Sequence, residues 1–224
     1  MTASPPRLEE LPATFPVFPL AGALLLPRGR LPLNIFEPRY LALTEDALAA
    51  GRLFGMVQPD RQAAPGDTGP GLFRIGCLGR ICSFSETDDG RYLITLTGLI
   101  RFAIAEELPL HRGYRRVRAD FTRFAADLDP TASVPGLDRP ALLAAQRAYF
   151  AHRGIEANWE AIDGMADDAL VTTLGMACPF EPAEKQALLE AGTATERAAA
   201  LAILLRIDIH STGADNAPAR SRAS

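Results

Sequence analysis

Residues Leu33–Asp46 read LNIFEPRYLALTED, a strand end running into a helix start. Pro38 lacks a backbone donor and has a fixed φ, so it suits the first helical turn, with Glu37 at the cap. The spacing predicts a helix over 38–50 that Gly51 ends. Tyr40, Leu41, Thr44 and Leu48 form its buried stripe, and Glu45 and Asp46 face water.

Upstream, Phe15, Val17 and Leu20, then Leu24–Leu26, read as two short strands before a turn at Pro27–Gly29. Downstream, Leu53–Val57 is a strand, and Gln58–Gly71, rich in Pro, Gly and Asp, is a loop long enough to be functional. Phe73, Ile75, Cys77 and Ile81 share one strand parity, with Arg74 and Arg80 on the other, as expected for a half-buried strand. Glu86–Gly90, ETDDG, reads as a hairpin, after which Tyr92, Ile94 and Leu96 continue the buried parity. Gly98 marks a bulge or bend before Ile100, Phe102 and Ile104, and a further strand runs from Tyr114 to Phe124. So many closely spaced antiparallel strands predict a closed or nearly closed barrel.

Across Asp127–Asp138 the apolar period changes from two to 3.6. The chain is therefore expected to be α+β: a flexible N-terminus at 1–12, a β-rich part at 13–126, a helical part at 137–209 and a disordered tail at 211–224. In the helical part, Leu170, Thr173, Leu174 and Ala177 define one helix, and Leu188 and Leu189 are buried in another. Thr193-x-x-Glu196 is a capping box for the last helix. Its Ala198–Leu205 run is apolar nearly all round and reads as the centre of the helical core.

The 224 residues are 48% hydrophobic and 22% charged with net charge −4, which is globular composition and argues against a surface devoted to nucleic acid or anionic membrane. Cys77, Cys82 and Cys178 have no zinc-knuckle or redox spacing, so a reducing cytoplasm is the simplest location. No apolar run approaches the ~20 residues that span a bilayer, so a soluble protein is expected. His111, His152 and His210 are scattered, and no metal or cofactor site is expected.

Six blocks in order carry a family resemblance: FPVFPL at Phe15–Leu20, LLLP at Leu24–Pro27, LPLNIFEPRY at Leu31–Tyr40, GRICSF at Gly79–Phe84, LTGLIRFAI at Leu96–Ile104 and PFEPAEKQALLE at Pro179–Glu190. The chain resembles the amino-terminal, substrate-recognition domain of the Lon protease family, over roughly Thr14 to Ile209. The resemblance implies a PUA-like antiparallel β-barrel subdomain followed by a helical-bundle subdomain. It further implies a non-enzymatic module that binds unfolded or extended polypeptide segments, as an adaptor or holdase-like protein working with a protease or chaperone. Catalytic machinery is not expected here. The single lysine, Lys185, lies between Glu184 and Gln186, so no phosphate-binding Gly-Lys-Ser/Thr exists, and no G-x-S-x-G elbow is present.

The cluster Phe36–Tyr40 has two readings. In one, Phe36 and Tyr40 pack the helix onto the sheet while Glu37 caps or pairs with Arg39. In the other, Arg39 and an edge of Tyr40 line a groove for a polypeptide. Phe15, Val17, Phe18, Leu20 and Leu24–Leu26 exceed what one face of two short strands buries, and prolines at 16, 19, 27 and 32 interrupt edge pairing. An apolar patch at Phe18, Leu25, Phe36 and Tyr40 is therefore expected, where a client or a second copy of the chain docks. A rival reading places RNA on Tyr114, Arg116 and Arg118 within the basic stretch HRGYRRVR.

Overall fold

The computed structural model describes residues 6–129 and 133–215, with side chains as far as residue 207. Its contacts divide into two compact units: residues up to 132 together with Thr172–Glu190, and residues 133–171 together with those from 191 onward.

The first unit carries strands β1 (Thr14–Pro19), β2 (Arg30–Ile35), β3 (Leu53–Val57), β4 (Ile75–Glu86), β5 (Tyr92–His111) and β6 (Tyr114–Asp120). Helix α1 (Pro38–Ala49) follows β2, with Pro38 at its first position and Glu37 as cap residue. The sheet order is β2-β5-β4-β3-β1-β6, and β5 also pairs with β6. That second pairing closes a five-stranded ring and leaves β2 as a flap on β5. One pair, β1 with β3, is parallel. β5 serves three neighbours because it is 20 residues long: its first half pairs with β4 along one edge and with β2 along the other, and its second half pairs with β6. Leu78 pairs with Ile100 and Gly79 with Gly98, so Leu99 is an extra residue bulged out beside Gly98, where a bulge or bend was expected.

Glycines make the barrel interior fit. A Cβ at Gly55 or Gly76 would sit 2.8 or 2.6 Å from the Phe102 ring, which also meets Phe15 edge-on at 5.0 Å. Outside the ring, α1 lays Tyr40 against Phe18 with ring centroids 4.0 Å apart. The buried stripe of α1 is Tyr40, Leu43, Thr44 and Ala47, flanked by Ala42. Leu41 and Leu48 lie at its margins, so the expected stripe is rotated. Leu24–Leu26 is not a strand. It runs across β4 and β5, where the Gly98 N–H donates to the Gly29 carbonyl at 2.9 Å and the Arg28 N–H donates to the Gly98 carbonyl at 2.8 Å. A side chain at 98 would place Cβ 2.1 Å from the Leu26 carbonyl oxygen. β4 is buried on both faces over Ile75–Gly79, so it is central here and not half-buried.

Helices α2 (Arg139–Arg153), α3 (Trp159–Asp163), α4 (Asp167–Ala177), α5 (Pro182–Glu190) and α6 (Ala194–Asp215) complete the chain. The end of α4 and all of α5 belong to the barrel unit, whereas the sequence placed them in the helical part. Polar contacts explain this. The Lys185 ammonium donates to the Gly22 carbonyl at 2.7 Å, Gln186 to Ile75 at 3.1 Å, Gln58 to the Pro182 carbonyl at 2.9 Å, and Arg101 to Leu189 at 3.1 Å. Burial pushes the Lys185 ammonium below its ordinary pKa.

In the second unit, Asp138 caps α2 by accepting from the Ala141 N–H at 3.0 Å, and Gly154 ends that helix at φ 64°. Arg139 pairs with Asp167 at 2.7 Å and Arg147 with Asp163 at 3.0 Å. The capping box of α6 forms: the Glu196 N–H donates to Thr193 at 3.1 Å, and the Thr193 N–H donates back to the Glu196 carboxylate at 3.3 Å. Only one face of α6 is buried, through Arg197, Ala198, Leu201 and Leu205. Ile203 and Ile207 face solvent, so the run is not buried all round. The helix extends past 211 to Asp215, into the stretch expected to be unstructured, and the remainder of that stretch lies outside the described residues. Among the described residues no helix is long and apolar enough to cross a membrane.

Candidate functional site

Four elements of the barrel unit meet around one pocket of about 240 Å3: the end of β1 at Pro19, the start of α1, the loop at 58–71, and the turn between β5 and β6. Arg39 and Tyr40 come from α1, Thr68–Pro70 and Leu72 from the loop and its exit, and Leu110, Tyr114 and Arg115 from the β5–β6 hairpin. The loop is held at its base by the bridge Pro59–Leu72 and by the Asp60 N–H donating to the Gly71 carbonyl at 2.8 Å. Its far side is tied down by Arg115, whose Nη1 donates to the Pro70 carbonyl at 2.6 Å, and by Thr68, whose hydroxyl donates to Glu107 at 2.8 Å. Arg115 also pairs with the Glu107 carboxylate. Burial pushes the Glu107 carboxyl up, but the hydrogen bonds from Arg115 and Thr68 outweigh it and hold it below its ordinary value.

The hairpin turn is Arg112–Gly113, both at positive φ (46° and 84°), the pattern of a two-residue turn whose twist matches the strands. It is fastened to α1 by acidic side chains. The Tyr114 hydroxyl donates to Asp46 at 2.6 Å, and Arg112 donates to Asp46 at 2.6 Å and Glu45 at 2.7 Å. Burial, then the Asp46 hydrogen bond and charge, push the Tyr114 hydroxyl far above its ordinary pKa.

Of the expected polypeptide-binding residues, the pocket brings together Arg39 and Tyr40. Arg39 lies 4.5 Å over the Tyr40 ring and spends Nε and Nη2 on Glu37, at 3.0 and 2.8 Å. The continuous apolar patch does not form. Phe18 is 6% and Leu25 1% exposed: Phe18 lies under Tyr40, and Leu25 fills the space above Gly79, where a Cβ would meet its Cδ2 at 2.8 Å. Phe36 is 60% exposed and stands apart with the Arg91 guanidinium 5.6 Å from its ring. The surplus of apolar residues was real, but glycines in the sheet open room for it.

The RNA reading is not favoured either. The Tyr114 ring is buried and packs edge-on to His111 at 5.5 Å, so it offers no free face to a base. Arg116 is half-buried with Nη2 near the Pro109 carbonyl at 3.4 Å, and Arg118 pairs with Glu106 at 3.5 Å. Among the pocket residues that sequence reasoning missed is Arg115. It shares strand parity with the fully buried Val117, and a charge on a buried parity was the available signal. A larger, more open depression of about 560 Å3 adjoins at Pro59, but its charged walls are side chains of the loop and of Glu181. Among the described residues no group of three or more His, Cys, Asp or Glu is placed to hold a metal.

A closed β-barrel with an appended flap strand and a capping helix is a fold that known proteins share. The N-terminal domain of the Mycobacterium avium complex Lon protease superposes with TM-score 0.61 at 19% identity, covering 86% of this chain and 98% of that one. The Lon N-terminal domain protein from Xanthomonas campestris gives TM-score 0.57 at 21% identity, covering 82% and 94%. In sequence, the chain is 31% identical to Lon protease 2 of Myxococcus xanthus over 121 residues, 52% of this chain and 14% of that protein. It is 31% identical to the Lon protease of Desulfosudis oleivorans over 94 residues, 42% of this chain and 12% of that protein. The aligned region is thus a small fraction of those full-length proteases. The profile of the ATP-dependent protease La (LON) substrate-binding domain matches residues 14–206, and the chain belongs to that family.

Proposed function

We propose that this chain is a non-enzymatic polypeptide-binding module that engages unfolded or extended segments at the mouth of its barrel, acting as an adaptor or holdase-like protein. The observation that carries the reading is the pocket itself. Leu72, Leu110 and three prolines give it apolar walls, and Arg39, Tyr40 and Arg115 give it polar anchors. Membership of the substrate-binding-domain family supports the same reading.

The test is binding of a reduced, carboxymethylated unfolded protein to the full chain. Leu110 is exposed, so Leu110→Asp leaves the fold intact, and it is expected to weaken binding about fivefold or more by desolvating a charge against the client. Binding should weaken only severalfold between low and high salt, whereas capture of labelled RNA would fall by orders of magnitude. Equal binding by Leu110→Asp, or RNA binding tighter than polypeptide binding, overturns the proposal. So does casein cleavage or nucleotide turnover that survives a further purification step.

A further inference from the structure

The hydrogen-bonding groups around the pocket are unevenly satisfied. Two acceptors beside it are taken: Arg115 and Thr68 both donate to the Glu107 carboxylate, and Arg115 Nη1 donates to the Pro70 carbonyl. Its donors are not. Arg115 is 7% exposed, and its Nε is buried without an acceptor. Tyr40 lines the pocket with its hydroxyl engaged by no other described residue, and Arg39, an exposed side chain, keeps Nη1 after engaging Glu37. Arg39 and Tyr40 thus present unengaged donors to the pocket beside the Arg115 guanidinium, an arrangement that suits a ligand supplying acceptor oxygens.

The walls restrict it further. Leu72 and Leu110 need an apolar group, and about 240 Å3 lies below the ~300–1,000 Å3 of pockets that enclose drug-sized ligands. One residue end fits such a space.

We propose that the pocket takes the C-terminal residue of a polypeptide, its α-carboxylate accepting from Tyr40 and Arg39 beside the Arg115 guanidinium while its apolar side chain rests on Leu72 and Leu110. The inference rests on the polypeptide-binding reading above and narrows it to chain ends. An α-carboxylate and an apolar side chain leave the same carbon, so one residue meets both demands. An internal Asp or Glu satisfies the donors but leaves Leu72 and Leu110 bare, an internal peptide carbonyl is a neutral acceptor, and phosphate has no apolar part.

The experiment is fluorescence polarisation on the full chain, using an N-terminally labelled octapeptide ending in leucine as the free acid, the same peptide as its C-terminal amide, and the amide with aspartate in place of leucine. The free acid is expected to bind about tenfold tighter than either amide, as charge-assisted hydrogen bonds require. Tyr40→Phe keeps the ring on Phe18 and removes only the hydroxyl, and Arg39→Gln alters an exposed side chain. Each should shrink the free-acid advantage to about threefold. Inorganic phosphate should fail to displace the peptide. Equal affinity of acid and amide, an aspartate amide as tight as the free acid, displacement by phosphate, or a full advantage in both variants overturns the inference. If the unfolded protein still binds in that event, the polypeptide reading stands alone. If neither peptide nor unfolded protein binds, both fall.

Discussion

Arg101 and Asp127 form a buried two-pronged ion pair, with Nε and Nη2 of the guanidinium each 2.8 Å from a different carboxylate oxygen. The same carboxylate accepts from the Arg101 backbone N–H at 3.0 Å, and the guanidinium lies 4.8 Å from the Phe124 ring. Arg101 sits between Ile100 and Phe102 in β5, and all three are buried, so this strand is covered on both faces. The short 3₁₀ helix Thr122–Leu128, which carries Asp127, is thereby fixed to the barrel.

Removing one partner strands the other charge in the interior. Asp127→Ala should cost about 3–5 kcal/mol, read as a shift in the urea midpoint, while a double replacement by Arg101→Met and Asp127→Leu should recover most of the loss. A cost below about 1 kcal/mol for Asp127→Ala would show that the pair is hydrated in solution.

The clamp between α1 and the β5–β6 turn makes stability depend on pH at both ends. The Asp46 carboxyl is held below its ordinary value, first by the Tyr114 hydroxyl and then by Arg112, against the effect of burial. A folded pKa below the unfolded value of about 3.9 means the contribution is complete above that pH and is lost as pH falls through the folded pKa. Tyr114 is shifted upward, so its contribution is complete below about pH 10 and is lost as pH rises further. Asp46→Asn should therefore be less stable than the parent at pH 7 and converge with it under acid conditions. Urea midpoints between pH 2 and 7 check this, and a gap that stays constant across that range refutes it.

Burial separates the residues once grouped as one patch. Leu25→Ala should cost about 2–5 kcal/mol, the range for emptying a well-packed core position, because Leu25 is 1% exposed above Gly79. Phe36→Ala, at 60% exposure, should stay within about 0.5 kcal/mol. Thermal melts of the two variants decide it, and the patch idea returns only if Leu25→Ala melts with the parent.

Where the chain's own neighbours carry the information, the residues alone were sufficient. Pro38 and Gly51 bracket α1, Thr193 and Glu196 form the capping box of α6, and Gly98 marks the bulge, because caps, turns and bulges are set within a few positions of backbone. Strand parity placed Ile94, Leu96, Ile100, Phe102 and Ile104 inside for the same local reason. The pocket was only half legible: Arg39 and Tyr40 stood out in the LNIFEPRY run, while Arg115 and Leu110 reach it from a hairpin about 70 residues away in the chain.

What only the tertiary structure decided is which surfaces acquire a second covering. A parity pattern reports one buried face. Leu24–Leu26 lying over Gly79 and Gly98, and α5 docking through Lys185 and Gln186, bury the other face from distances of about 50 to 160 residues along the chain. Such long-range contacts depend on small residues leaving room and on polar groups finding partners, and neither condition is written in the local apolar period. The same physics buried Phe18, Leu25 and Tyr114, and brought Arg115 in beside Arg39 and Tyr40 at the mouth of the barrel.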